Sequence, residues 1–261
     1  MNIFRLTWLF FRIGALNEMQ YRVNFFVQLV QSLVALGTGL VALELVFSHT
    51  DDLRGWTHTE LLVVLGVYTL MGGAIKTIIQ PNMERLMEDV RQGTLDYALT
   101  KPEDAQLLVS VREIRIWQVV DIALGLIIVL TAVFQLQVRI GLWQTLSFVV
   151  AVLLGGLMIY SFWLMITTGA FWLVRMNNVL ELFQGMYRAG QWPVGIYPGW
   201  LRTTLTFLVP VAFAVTVPAE ALTGRLTVQT LLGAAVLAGL LLALARWWWQ
   251  IGLRSYSGAS A

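Results

Sequence analysis

Residues 24–47 carry a single charge, Glu44, and that run constrains the fold more than any other feature of the chain. A helix rises about 1.5 Å per residue, so about 20 apolar residues cross a hydrocarbon core about 30 Å thick. Comparable runs recur at about 61–79, 116–135, 142–174 and 228–249. A transmembrane barrel would instead show ten-residue segments of alternating character. With 58% hydrophobic and 12% charged residues, the chain also lacks the polar surface to cover a water-soluble globule. The expected fold class is all-α: one polytopic transmembrane domain over residues 1–261.

Against this background residues 81–115 stand out. Twelve of the charged residues fall there, among them Glu84, Arg85, Glu88, Asp89, Arg91, Asp96, Arg112 and Arg115. Such a segment belongs at a membrane surface. Inside it Met83, Leu86, Met87 and Val90 recur at i, i+3, i+4 and i+7, predicting a short amphipathic helix lying flat. Asn82 is placed to cap its start, and Gly93 to supply a left-handed residue beyond its end. Arg85 and Asp89 form an i, i+4 pair, and Glu103 with Asp104 favour the start of a second helix.

The remaining segments complete the topology. Residues 1–22 read as an interfacial helix, with Arg5 and Arg12 on one face. No short apolar core ends in a small-residue cleavage site there, so a secretory signal peptide is not expected. Gln80-Pro81 is expected to close the second span, with Lys76 snorkelling to the surface near its end. The run from residue 142 exceeds one straight crossing, and is expected either to bend at Gly155-Gly156 or to project beyond the bilayer. Beyond Arg175, Asn177, Glu181, Gln184, Arg188 and Gln191 share one helical face, giving a span with a polar stripe. Residues 193–225, broken at Pro198, Pro210 and Pro218, are expected to enter the membrane and return. That yields six spans with both termini on one side. Twelve basic residues fall on that side and five elsewhere, which places the termini and the polar island in the cytoplasm of an inner (plasma) membrane protein.

Chemistry is sparse. There are no cysteines, and the two histidines, His49 and His58, sit with Asp51 and Asp52 in one loop. Their spacing matches no zinc signature, and solvated loop residues are the simpler reading. Intramembrane Asp121, Glu181 and Arg188 should face protein or water, as a translocation surface, as interhelical bonds, or as charges at helix ends near the interface.

Two stretches resemble a known family. Arg91-x-Gly93-x-Leu95-Asp96 with Leu99 and Lys101-Pro102 is similar to the cytoplasmic-loop pattern of ABC-2 type permeases, the membrane subunits of ATP-driven exporters. Pro193, Tyr197-Pro198, Trp200-Leu201-Arg202, Pro210 and Pro218-Ala219 resemble their proline-rich segment before the last span. The tail Gly252-Leu253-Arg254-Ser255-Tyr256 resembles one branch, whose members tend to occur as paired permeases. Val209-Pro210 departs from the Asn-Pro often found in the wider family, as befits a divergent branch.

The resemblance implies a permease of six transmembrane helices that moves an unidentified substrate, without an ATPase site of its own. It also implies a cytoplasmic coupling helix and a re-entrant outer hairpin. The chain has no Gly-x-x-x-x-Gly-Lys-Ser/Thr phosphate loop, so ATP and Mg would be bound by a separate cytoplasmic ABC ATPase subunit, and the chain itself would hold no cofactor or metal. Met83, Leu86, Met87, Val90, Arg91 and Asp96 would dock that subunit. Asn177, Glu181, Gln184 and Arg188 would form the translocation surface beside a second permease, identical or related. No nucleic acid partner is expected. The alternatives are an ion-coupled carrier or a membrane enzyme acting on lipid or glycan.

Overall fold

The computed structural model describes residues 12, 22–136, 141–172 and 177–256, without the side chains of residues 22 and 177–180. The interfacial helix expected over residues 1–22 and the Asn177 side chain lie outside the described residues.

The described chain is helical throughout its long elements: α1 (Arg22–Phe47), α2 (His58–Ala74), α3 (Gln80–Gln92), α4 (Asp96–Leu99), α5 (Ala105–Ser110), α6 (Val119–Leu136), α7 (Leu142–Thr168), α8 (Asn177–Arg188), α9 (Gly199–Thr203), α10 (Val217–Leu222) and α11 (Val228–Ser255). Among the described residues, five helices are long and apolar enough to cross a membrane. A sixth candidate is the bent pair Gly199–Leu208 and Ala212–Leu222, whose halves meet at 77°.

The centre of the bundle is α2. It is apolar around its whole circumference and buried from Glu60 to Val67, as such a helix must be. Its closest neighbour is α6, and glycines make the approach possible. A Cβ on Gly73 would stand 2.6 Å from the Ile122 nitrogen, and one on Gly125 would strike the Leu70 backbone. Without side chains at these points the two backbones come into contact, the usual device for packing helices in lipid. Gly155 serves the same end in α7, where a Cβ would lie 2.5 Å from the Phe213 oxygen. α7 is one continuous helix from Leu142 to Thr168, and Gly155 within it admits the bent pair.

Pro81 does not end the second span. A π-turn, Ile75–Ile79, leads from α2 into α3, giving one helix of 35 residues from His58 to Gln92. At 1.5 Å per residue that is about 52 Å, about 20 Å more than a hydrocarbon core requires. Proline within a helix removes the N–H that would reach the carbonyl four residues back. That carbonyl belongs to Thr77, and it accepts the Arg115 N–H at 3.0 Å. The acceptor freed by the proline is thus used to hold another segment.

Both described ends of the chain lie beside the polar island. Near the start of α1, the Phe25 ring lies against Trp117 with centroids 5.3 Å apart and Gln28 accepts from Gln118 at 2.8 Å. Near the end of α11, Arg246 pairs with Asp104. The two flanks of the bent pair meet the opposite end of the bundle: Arg54 donates to the Gly195 oxygen at 3.2 Å, and Arg225 reaches both the Gly55 oxygen and Glu60. These contacts lie on the tight turn between α1 and α2, where Arg54 and Gly55 both have positive φ, as a two-residue hairpin turn requires.

Candidate functional site: a polar cleft and a braced loop

Polar residues converge on one cleft of about 350 Å³ between α1, α2, its π-turn, α6 and α8. At its base Asp121 is buried. It accepts from Ser32 Oγ and pairs with Lys76 Nζ at 3.1 Å. Gln28 Nε2 donates to Ser32 at 3.0 Å and Gln118 Nε2 to Gln28 at 2.8 Å, so a continuous run of hydrogen bonds joins α6, α1 and the π-turn. Lys76, expected to snorkel, is half exposed and pairs with a carboxylate. The π-turn directs it to Asp121, since a buried carboxylate attracts the nearest cation more strongly than the interface does.

Higher in the cleft stand Tyr68, Gln184, Arg188 and Gln191. Tyr187 stacks on Tyr68 with ring centroids 4.9 Å apart and donates to the Tyr68 carbonyl at 2.8 Å. Tyr187 and Phe183 are the buried anchors that fix the rotation of α8. Of the residues singled out from the sequence, Gln184 and Arg188 line the cleft, while Glu181 is exposed and stands outside it. Arg188 makes no ion pair among the described residues. The carbonyl end of α8 lowers the cost of its charge. The α-helical part of α8 covers 12 residues, about 18 Å, so the striped element is shorter than a full crossing. A 3-10 turn at Ala189–Gln191 carries the chain further.

The cleft contains more than the stripe predicted. Gln28 and Ser32 at i, i+4 on the first span, and Lys76 with Asp121 on the next two, were readable as polar intrusions. Only the tertiary structure pairs them.

The polar island is a folded unit rather than a loose loop. After α3 the chain turns at Gly93 (φ 70°), as expected, runs through α4 and α5, and returns alongside α3 in extended form. Three ties hold the return. Asn82, fully buried, donates to the Glu113 carbonyl at 2.7 Å and accepts the Glu113 N–H at 2.9 Å. Asp89, also buried, pairs with Arg112 at 2.6 Å and Arg85 at 3.1 Å. Arg115 pairs with Glu84 at 2.6 Å. Asn82 is therefore a bracket within a continuous helix, not the cap of a separate one, because the helix begins 24 residues earlier at His58.

Further ties run from the island to the bundle. Asp104 caps α5 by accepting from the Gln106 and Leu107 nitrogens, and also binds Arg246 of α11. The Arg246 guanidinium, aided by those N–H groups, holds the Asp104 carboxyl below the usual carboxylate range. Tyr160 of α7 receives Gln106 Nε2 at 3.1 Å and lies 2.8 Å from Ser110 Oγ.

This arrangement corrects the expected docking surface. Met83 and Leu86 are fully buried, and Met87 and Val90 are partly buried. The apolar face of α3 packs on the bundle's own α7, where Thr167 Oγ1 contacts Met83 Sδ at 3.5 Å. A helix that continues a span keeps its apolar stripe against the same neighbour, so periodicity found a core face and not a free one. The exposed apolar groups of the island are Tyr97, Leu99 and Leu107. Arg91 is exposed and pairs with Glu88 at 2.6 Å, and Asp96 opens α4.

The histidine loop has structural tasks. Asp52 Oδ1 accepts the Gly55 N–H at 2.8 Å, and His58 Nε2 pairs with Glu44 at 2.9 Å. No group of three or more His, Cys, Asp or Glu is placed to hold a metal among the described residues.

A helical bundle with five or six helices long and apolar enough to span a membrane, a polar cleft and a braced polar segment at one end defines a polytopic membrane protein. The sequence profile described as ABC-2 family transporter protein matches residues 33–260, and the chain belongs to that family. It is accordingly a permease of the ABC transporter type, a class that works with an ATP-binding subunit. No curated protein and no solved structure matches the chain.

Proposed function

We propose that the chain is the membrane subunit of an exporter. A separate cytoplasmic ATPase binds ATP and Mg and drives alternating access through the polar island, and a second permease, identical or related, completes the pathway. The observation that carries this reading is the bracing of the island. Ties at Asn82, Asp89 and Glu84 join its two strands, while Asp104–Arg246 and the Tyr160 bonds fasten it to α11 and α7. A push on such a unit moves the helices as a body instead of deforming a loop. In this reading both termini and the island are cytoplasmic, and the bent pair, whose flanks meet the same outer turn, enters the membrane and returns.

Docking falls on α4 and its borders. Tyr97 and Leu99 supply the apolar grip, and Arg91 with Asp96 shapes the turn. Glu181, Gln184 and Arg188 form the translocation surface. Affinity purification in mild detergent tests the reading: a soluble ATPase should copurify, and its ATP turnover should depend on this chain. Tyr97→Asp with Leu99→Asp should release that ATPase while the permease remains inserted. ATP-independent transport by the chain alone would refute the proposal.

A further inference from the structure

Arg188 lines the cleft at the level of Tyr68, with no ion-pair partner among the described residues. Tyr68 lies about 15 Å along α2 from its start at His58, about half the thickness of the hydrocarbon core. Lys76 lines the same cleft about 12 Å nearer the island, and its one acidic partner, Asp121, is already shared with Ser32. Among the described residues the cleft's charges therefore sum to one excess cation near mid-membrane. Beside the polar groups lies an apolar wall formed by Leu36, Leu65, Ile75 and Phe183.

A second permease does not supply the missing anion from the same helix. Two copies related by an axis along the bilayer normal present equal residues at equal depth. A second copy's Arg188 would face this level, while its Glu181 is displaced about 10 Å along α8. Pairing the copies doubles the cation rather than neutralising it.

We infer that the cleft binds an anionic amphiphile, a molecule with a carboxylate or phosphate head and an apolar body, with the head on Arg188 and the body against Leu36, Leu65 and Phe183. The guanidinium offers a planar array of donors that fits an oxyanion. Gln184, one helical turn from Arg188, and Gln191 offer amide donors beside it. The glutamine-lined lower lobe, with Gln28, Gln31 and Gln118, gives a polar head a route from the island end. This assignment rests on the permease reading for its role in transport, but not for binding itself.

The test uses the full chain in phosphatidylcholine nanodiscs, with fluorescent dansyl-undecanoic acid and its neutral methyl ester as matched probes. The acid should bind about tenfold more tightly than the ester, as one charge-assisted contact allows. Arg188→Gln should erase the difference. Gln184→Glu, which places a carboxylate beside a retained Arg188, should erase it too. Displacement of the acid by added phosphatidylglycerol would identify a lipid headgroup as the natural source, and binding unaffected by that lipid would identify a free amphiphile. Equal binding of acid and ester, or a preference that survives both substitutions, overturns the inference. Because the probe assay needs no ATPase, its failure beside intact ATPase copurification would remove the ligand class alone. Its success without copurification would remove the transporter reading instead.

Discussion

Lys76 and Asp121 are unequal partners, and the inequality predicts how their variants behave. The Asp121 side chain is 8% exposed and that of Lys76 is 51% exposed, facing the cleft. Removing Lys76 leaves a buried carboxylate with only the Ser32 hydroxyl, whereas removing the Asp121 charge leaves an ammonium that can still reach water. Breaking a fully buried pair costs about 3–5 kcal/mol. Half-exposure of the lysine discounts that to about 2–3 kcal/mol for Lys76→Gln. Asp121→Asn keeps the shape and the bond to Ser32, and should cost under about 1 kcal/mol. For a chain of this size 1 kcal/mol shifts a melting midpoint by about 2–4 °C. Lys76→Gln should therefore melt about 4–12 °C lower in detergent, and Asp121→Asn within about 4 °C of the parent. The double variant, with two amides able to bond each other, should recover most of the loss. The assay is size-exclusion chromatography after heating, followed by tryptophan fluorescence. Asp121→Asn proving as damaging as Lys76→Gln, or the double variant showing the sum of both losses, would refute the assignment of the buried charge.

Gly125→Val should separate α6 from α2 or abolish folding, since its Cβ would overlap the Leu70 backbone, and a lower yield of monodisperse protein would register it. Asn82→Ala strands the Glu113 N–H and carbonyl, each costing about 1–3 kcal/mol when unsatisfied. Limited proteolysis should then cut faster between residues 100 and 115. Asp104 is held below its ordinary value of 3.8 by Arg246, so its contribution is complete above that pH and fades as pH falls through the lower folded value. The heat resistance of the parent should thus fall more steeply below about pH 4 than that of Asp104→Asn. Parallel curves would show that the pair does not hold the island to α11.

How much was legible depends on the physics at each position. The five long apolar runs, the Gly93 turn, the helix start at Asp104 and the Arg85–Asp89 pair follow from local rules, and the structure shows each of them, whereas the striped segment expected as a further span forms a helix of 12 residues. Pro81 misled because the Thr77 carbonyl that it leaves free finds another donor. Here the Arg115 N–H supplies one from 34 residues later. Met83 and Leu86 misled for a related reason: a periodic apolar face requires cover, but periodicity does not say whether the cover is another protein or the same chain's α7.

By itself the sequence determined a helical membrane protein with one polar island. Hydrophobicity and charge act through solvent, and need no knowledge of neighbours. The tertiary structure decided the rest. It paired Lys76 with Asp121, left Arg188 in the cleft, buried the apolar face of α3 and exposed Tyr97 and Leu99 in its place. Those outcomes depend on which helices stand side by side, and in this bundle the approach is set by glycines whose effect appears only when the opposing backbone is in place.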